Sequence, residues 1–179
     1  MQNSIISIFK DLYKSTDVPY LVTLEKSLNR IKNGSSKEMV EKIRSGQNNL
    51  KNKLPSIVFA GEFSERKKDG LKKHSGLMVV DFDKIENTND FKTELSKNSH
   101  FIALFISPSG NGIKGVVKIP KCTAKEHERY FKEFNIPGVM SYNTPHQFYD
   151  LVLAIIAGNI NKVSLVKEGR KYLNEVLHI

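Results

Sequence analysis

Apolar and polar positions along the 179-residue chain change period near residue 54. Before it, Ile5, Ile6, Ile8, Phe9 and Leu12 make a short apolar stripe, and Leu21, Leu24, Leu28 and Ile31 recur at helical spacing. Thr23 or Thr16 is placed to cap this second helix, and Gly34 to end it. Ser36 to Ile43 reads as a short amphipathic third piece. Asn48, Asn49, Lys51, Asn52 and Lys53 form a polar linker that stops at Leu54-Pro55. Residues 1–53 are therefore expected to be a helical N-terminal region.

From Leu54 the pattern becomes that of strands. SIVFAGEF is β-branched and aromatic, and predicts a strand. SERKKDGLKKH reads as a charged turn around Gly70. Leu77 to Phe82 is apolar on both faces and predicts a central buried strand. A polar helix follows, with Phe91 and Leu95 on one side. HFIALFIS is a second buried strand, SPSGNG a turn cluster, and IKGVVKIP a third strand stopped by Pro120. CTAKEHERYFKEF reads as a helix marked by Tyr130, Phe131 and Phe134. Residues 54–135 are thus expected to be an α+β core, with helices on a mostly antiparallel sheet. Beyond it the text turns irregular, and VSLVKEGRKYLNEVLHI reads as a terminal helix. Residues 136–179 are expected to be a divergent tail ending in that helix.

Composition narrows the function classes. The length suits about one domain. Hydrophobic residues at 39% and charged residues at 26% are those of an ordinary globular protein. The single cysteine, Cys122, excludes a disulfide framework and a zinc ribbon. No apolar run approaches the roughly 18 residues of a membrane span, and the N-terminus lacks a long apolar stretch, so no membrane partner and a cytoplasmic location are expected. The net charge of +9 points to a polyanionic partner. That signal is discounted, because 23 of the 28 basic residues are Lys, alongside 15 Asn and 16 Ile, the residues that AT-rich coding supplies. Lys is also the weaker choice for bidentate phosphate recognition.

Two constellations can carry chemistry. Asp81 and Asp83 end a strand with only Phe82 between them, so both carboxylates face the same way. Such a pair can hold Mg²⁺ or Mn²⁺, hard cations that take oxygen ligands and substrate phosphates. The bland alternative is that strand-end acids simply begin a turn. In the run from Ser107 to Lys114, Gly110 and Gly112 permit close backbone approach, and Ser107 and Ser109 flank a loop suited to a phosphate. Lys114 follows on the strand as a point charge. Here the alternative is a ligand-free hairpin turn, for which Asn-Gly is a common pair. Together the motifs make the minimum kit for handling a nucleoside triphosphate. Lys67, Lys68, Lys72 and Lys73 form a basic cluster able to track a nucleic-acid backbone, or else a solvated loop. His74, just before the Asp81 strand, could reach a phosphate or be a solvated loop residue, and His127 reads as a surface or packing residue of an amphipathic helix; His100, His146 and His178 lack metal-ligand spacing, and Cys122 has no evident partner.

GLMVVDFDKI followed by FISPSGNGIKGVVKI resembles the VirE N-terminal-type domain of bacteria and phages, a divergent member of the primase-polymerase superfamily. LPSIVFAGEFSERK, with Pro55 and Arg66, and EHERYFKEF, with His127, extend the likeness from Leu54 to Phe134. The resemblance implies a primase-polymerase-like, RRM-like core. It implies template-directed nucleotidyl transfer in DNA replication, with nucleoside triphosphates and a DNA template as ligands and a replicative helicase acting in trans. A phage-encoded chain would work in the host cytoplasm. By the resemblance Asp81 and Asp83 are catalytic metal ligands, and Ser107, Ser109, Gly110 and Gly112 bind the nucleotide, with Lys114 where many relatives have a histidine. It also implies a third acid on a later strand. The sequence departs from the pattern there, Ser141 to Pro145 being a faint echo, and Asp150 is the candidate for the missing carboxylate. The rival expectation is a nucleic-acid-binding module that keeps the fold but lacks the third carboxylate and hence the catalysis.

Overall fold

The chain begins with strands where helices were expected. In the computed structural model, which describes residues 4–10 and 17–134 and side chains as far as Tyr130, β1 (Ile5–Phe9) pairs antiparallel with β2 (Tyr20–Thr23) and β3 (Ser56–Val58). The reason is tertiary. Ile6, Ser7, Ile8 and Phe9 are all buried, so both faces of the run are covered. A strand between two others allows that, whereas an amphipathic surface helix buries only one stripe. Leu21, counted in the helical stripe, lies on β2 and is half exposed. The rest of the N-terminal reading matches. In α1 (Leu24–Lys32), Thr23 is the N-cap, its Oγ1 accepting from the Lys26 amide at 3.2 Å. α2 (Lys37–Arg44) follows Gly34, whose φ of +68° turns the chain. The linker Asn48–Lys53 winds into a short 3-10 helix. β1, hydrogen-bonded to β2 and to β3 beyond that linker, belongs to a sheet that joins the N-terminal segment to the residues after Leu54.

The run expected as one strand from Ser56 is two, in different sheets. β3 ends at Val58, and β4 (Gly61–Phe63) pairs with β5 (Leu71–His74). Gly61, at φ +151°, is where the chain changes sheet, and a Cβ there would meet the Lys73 carbonyl oxygen at 2.1 Å. The buried Ser7 hydroxyl ties β1 to β4. It donates to the Gly61 carbonyl at 3.0 Å and accepts from the Phe63 amide at 2.9 Å.

The third sheet contains β6 (Leu77–Asp83), β7 (Phe101–Ile106) and β8 (Gly112–Lys118), antiparallel in the order β6-β8-β7. β8 is the central strand. β6 is an edge, not the central strand expected from its apolar run; Leu77, Met78 and Val80 are buried because both sheet faces are covered. On one face Phe82 meets Phe91 of α3 (Thr88–Ser96) edge-on at 5.5 Å, and Leu95 is fully buried. On the other, Leu77 and Val116 form a core with Ile6, Leu24 and Phe59, joined by Val79, Ala103 and Phe105 and by Leu28 and Ile31 of α1. Each such side chain contributes about 1.5–3 kcal/mol on burial.

The fold is α+β, with three antiparallel sheets and flanking helices. The chain divides into two compact units, Met1–Ala124 and Lys125–Ile179. α4 (Ala124–Phe134), which begins at the boundary between them, occupies the segment expected to be helical. Asp150 and the expected terminal helix lie outside the described residues. No helix among the described residues is long and apolar enough to cross a membrane.

Candidate functional site

Alternation along β6 places Leu77, Val79, Asp81 and Asp83 on one face. The first two belong to the core, while both acids are exposed. β8 repeats the change in the opposite order. Val116 is fully buried opposite Val79, then Lys114 stands opposite Asp81 and Gly112 opposite Asp83. Within two residues one sheet face passes from apolar to charged.

Lys114 does not stand free. Its ammonium donates to both carboxylate oxygens of Asp81, at 2.6 Å to Oδ2. The lysine and aspartate side chains are 33% and 49% exposed. An ion pair this open to solvent contributes only about 0.2–1 kcal/mol, so a divalent ion or a phosphate can displace it cheaply.

The other acid is placed by the backbone around it. Lys84, immediately after Asp83, has φ +58°, a left-handed conformation uncommon for a residue with a Cβ. The chain then returns toward the hairpin, the Ile85 amide donating to the Asn111 carbonyl at 3.0 Å. A Cβ on Gly112 would lie 2.6 Å from the Phe82 carbonyl oxygen, 3.2 Å from Asp83 Oδ1 and 3.3 Å from Ser107 Oγ. Only glycine fits, and its missing side chain marks a point on which a carboxylate and a hydroxyl converge.

Ser107 to Asn111 connect β7 to β8. The Gly110 amide donates to the Ser107 carbonyl at 2.9 Å, and the Ser107 amide to the Gly112 carbonyl at 2.8 Å. Pro108 and Gly110, the latter at φ +85°, occupy the second and fourth turn positions that such residues favour. Ser107 is buried, its Oγ 3.1 Å from Ser109 Oγ, and Ser109 Oγ donates to Asn111 Oδ1 at 2.7 Å. The hydroxyls are therefore held in a chain along the turn.

Arg44, at the end of α2, also reaches this turn. Its Nη2 donates to the Ser107 carbonyl at 3.3 Å, and its Nε lies 3.5 Å from where a Gly110 Cβ would be. No local pattern flags it, because the contact joins residues 63 positions apart. The fold thus brings together Asp81, Asp83, Ser107, Ser109, Gly110, Gly112 and Lys114, and adds Arg44. No third acidic side chain clusters with Asp81 and Asp83 among the described residues. An exposed carboxylate pair with a converging hydroxyl is an all-oxygen donor set, which fits a hard cation such as Mg²⁺ or Mn²⁺.

The four lysines expected to track nucleic acid belong to the segment around β5, in a different sheet. Lys67 pairs with Glu65 at 3.0 Å and Lys73 with Glu62 at 3.6 Å, so the cluster is partly neutralised. His74 and Cys122, which the sequence left without partners, lie 3.5 Å apart, Nε2 to Sγ. The Gly76 amide donates to His74 Nδ1 at 2.9 Å, so the neutral ring carries its proton on Nε2, toward the sulfur.

A family model described as BT4734-like, N-terminal domain, matches residues 49–156, well over half of the chain, and the chain belongs to that family. This corrects the resemblance to the VirE N-terminal-type domain, which is a different family. The motifs behind that likeness are short, and strand-end acids and glycine turns recur in many antiparallel folds. No curated protein and no solved structure matches the chain.

Proposed function

We propose that this BT4734-like N-terminal domain binds a nucleoside triphosphate with Mg²⁺ or Mn²⁺ at the end of β6, and serves DNA replication by template-directed nucleotide transfer. The observation that carries the reading is the convergence of Asp83 and Ser107 over Gly112, one residue pair from Asp81 and Lys114 on the same sheet face. Asp81 and Asp83 hold the ion. Ser107, Ser109 and the backbone at Gly110 and Gly112 receive phosphate oxygens, and Lys114 exchanges its carboxylate partner for a phosphate. When bound, the ion supplies positive charge at the phosphates and lowers the pKa of an attacking hydroxyl. The net charge of +9 supports a DNA partner, with Lys67, Lys68, Lys72 and Lys73 as candidates to follow its backbone and a helicase acting in trans.

A second reading is a module that binds nucleotide or DNA without catalysis. The Asp81–Lys114 ion pair favours it, because that lysine already neutralises one of the two carboxylates. Thermal unfolding with Mn²⁺ and a nucleoside triphosphate, beside primer extension on a DNA template, tests both. Metal-dependent stabilisation that vanishes in Asp81→Ala and in Asp83→Ala supports the site. Primer extension lost in the same variants supports transfer, and stabilisation without synthesis supports the second reading. Stabilisation unchanged in both variants overturns the site.

A further inference from the structure

We infer that Arg44 selects for the terminal phosphates of a nucleoside triphosphate, an inference that rests on the nucleotide reading above. The argument is positional. Asp83 flanks the turn at Gly112, while the Arg44 guanidinium and stem lie at Gly110, within 3.5–3.8 Å of its Cβ position. The carboxylate and the guanidinium therefore approach the same short turn at positions two residues apart. A triphosphate laid along the turn, its first phosphate beside the carboxylate-held ion, directs its far phosphates to Arg44. A monophosphate ends before it.

The chemistry suits the role. Arg44 makes one hydrogen bond, to the Ser107 carbonyl, and pairs with no carboxylate among the described residues. Its remaining N–H donors form a planar fork of the kind that matches phosphate oxygens in pairs. Lys114, by contrast, is engaged with Asp81. Arg44 is anchored in the last turn of α2, where the helix dipole favours a cation. It also lies outside residues 49–156, so the segment preceding the family match supplies it.

The test is isothermal titration of a nucleoside triphosphate and the matching monophosphate, in Mn²⁺, against the full chain and its Arg44→Gln and Arg44→Lys variants. Glutamine keeps a donor for the Ser107 carbonyl and removes the charge. Arg44→Gln is expected to weaken triphosphate binding about 10- to 100-fold, the worth of one or two charge-assisted hydrogen bonds. Monophosphate binding and melting temperature should stay unchanged, and Arg44→Lys should restore part of the loss. Equal losses for both nucleotides would make Arg44 a positioning residue for the turn and overturn the inference. Unchanged triphosphate binding in both variants would overturn it while leaving the nucleotide reading intact. If the wild-type chain binds neither nucleotide, the nucleotide reading fails, and the inference falls with it.

Discussion

Removing the Lys114 ammonium should change metal binding and nucleotide binding in opposite directions. Lys114→Met keeps the length and apolar stem of the side chain and frees Asp81 of its partner. The pair is partly exposed, so solvent screening limits its worth to about 0.2–1 kcal/mol, and the variant should lose no more stability than that. The same energy is what an incoming cation spends to displace the lysine. Without nucleotide, Lys114→Met should therefore bind Mn²⁺ more tightly, by up to about fivefold. The difference should shrink at about 1 M salt, where the Debye length falls to about 3 Å. With a triphosphate present the sign reverses. The lost charge-assisted contact should weaken nucleotide binding by about tenfold or more, whereas DNA binding, spread over many lysines, should change less. Electron paramagnetic resonance of free Mn²⁺, with and without nucleotide, reads both effects. If nucleotide-free Lys114→Met binds Mn²⁺ no better than wild type, the lysine and the ion do not compete for Asp81, and the assignment of that carboxylate as a ligand is wrong.

The remaining predictions concern the frame around the site. Gly112→Ala forces a methyl to within 2.6 Å of a backbone carbonyl that cannot retreat without moving β6; urea unfolding should show a loss of about 1–3 kcal/mol, and an unchanged midpoint would refute the close approach. Lys84→Gly relieves a left-handed residue and should stabilise the fold by about 1 kcal/mol in the same assay, whereas destabilisation would show that the lysine side chain holds the bend. Ser7→Ala strands the Gly61 carbonyl and the Phe63 amide and should cost about 1–3 kcal/mol by chemical denaturation; a loss below a few tenths would mean that the hydroxyl does not join β1 to β4.

Legibility in the sequence followed the range of the forces. Asp81 and Asp83 share a face because period-two alternation is local, and the Thr23 cap is equally local. Ile5–Phe9 was illegible because so short a run, four apolar residues around Ser7, fits a helix or a strand, and its partner β3 lies about 50 residues away. LKKH read as a loop because Lys72 and Lys73 are exposed, and only pairing with Gly61–Phe63 makes it a strand. The edge position of β6 depends on the β7–β8 hairpin placing β8 beside it, which the apolar run of β6 does not encode. Arg44 was invisible for the same reason, since its partner turn is set by the fold and not by neighbours in sequence.

The edge position supplies a rival account of the two aspartates. Charges on an edge strand discourage pairing with another sheet, and that role alone would explain why Asp81 and Asp83 are exposed. It does not explain their surroundings. Edge protection asks for charge of either sign and is indifferent to what lies across the ladder. Here one aspartate faces a lysine, and the other faces the residue whose side chain is missing so that a serine hydroxyl can approach. The serine is buried and linked through Ser109 to Asn111, and an arginine from α2 donates to its carbonyl. These constraints are positional, and they accumulate on β8 and its turn, which an edge-protecting charge on β6 has no need to organise. The carboxylates also stand on the same strand face as Leu77 and Val79, so the core that fixes those residues fixes the acids. Such preorganisation matters for holding an ion and a phosphate at set distances and is superfluous for repelling a stray strand, which is why the ligand-binding reading accounts for more of this sheet edge.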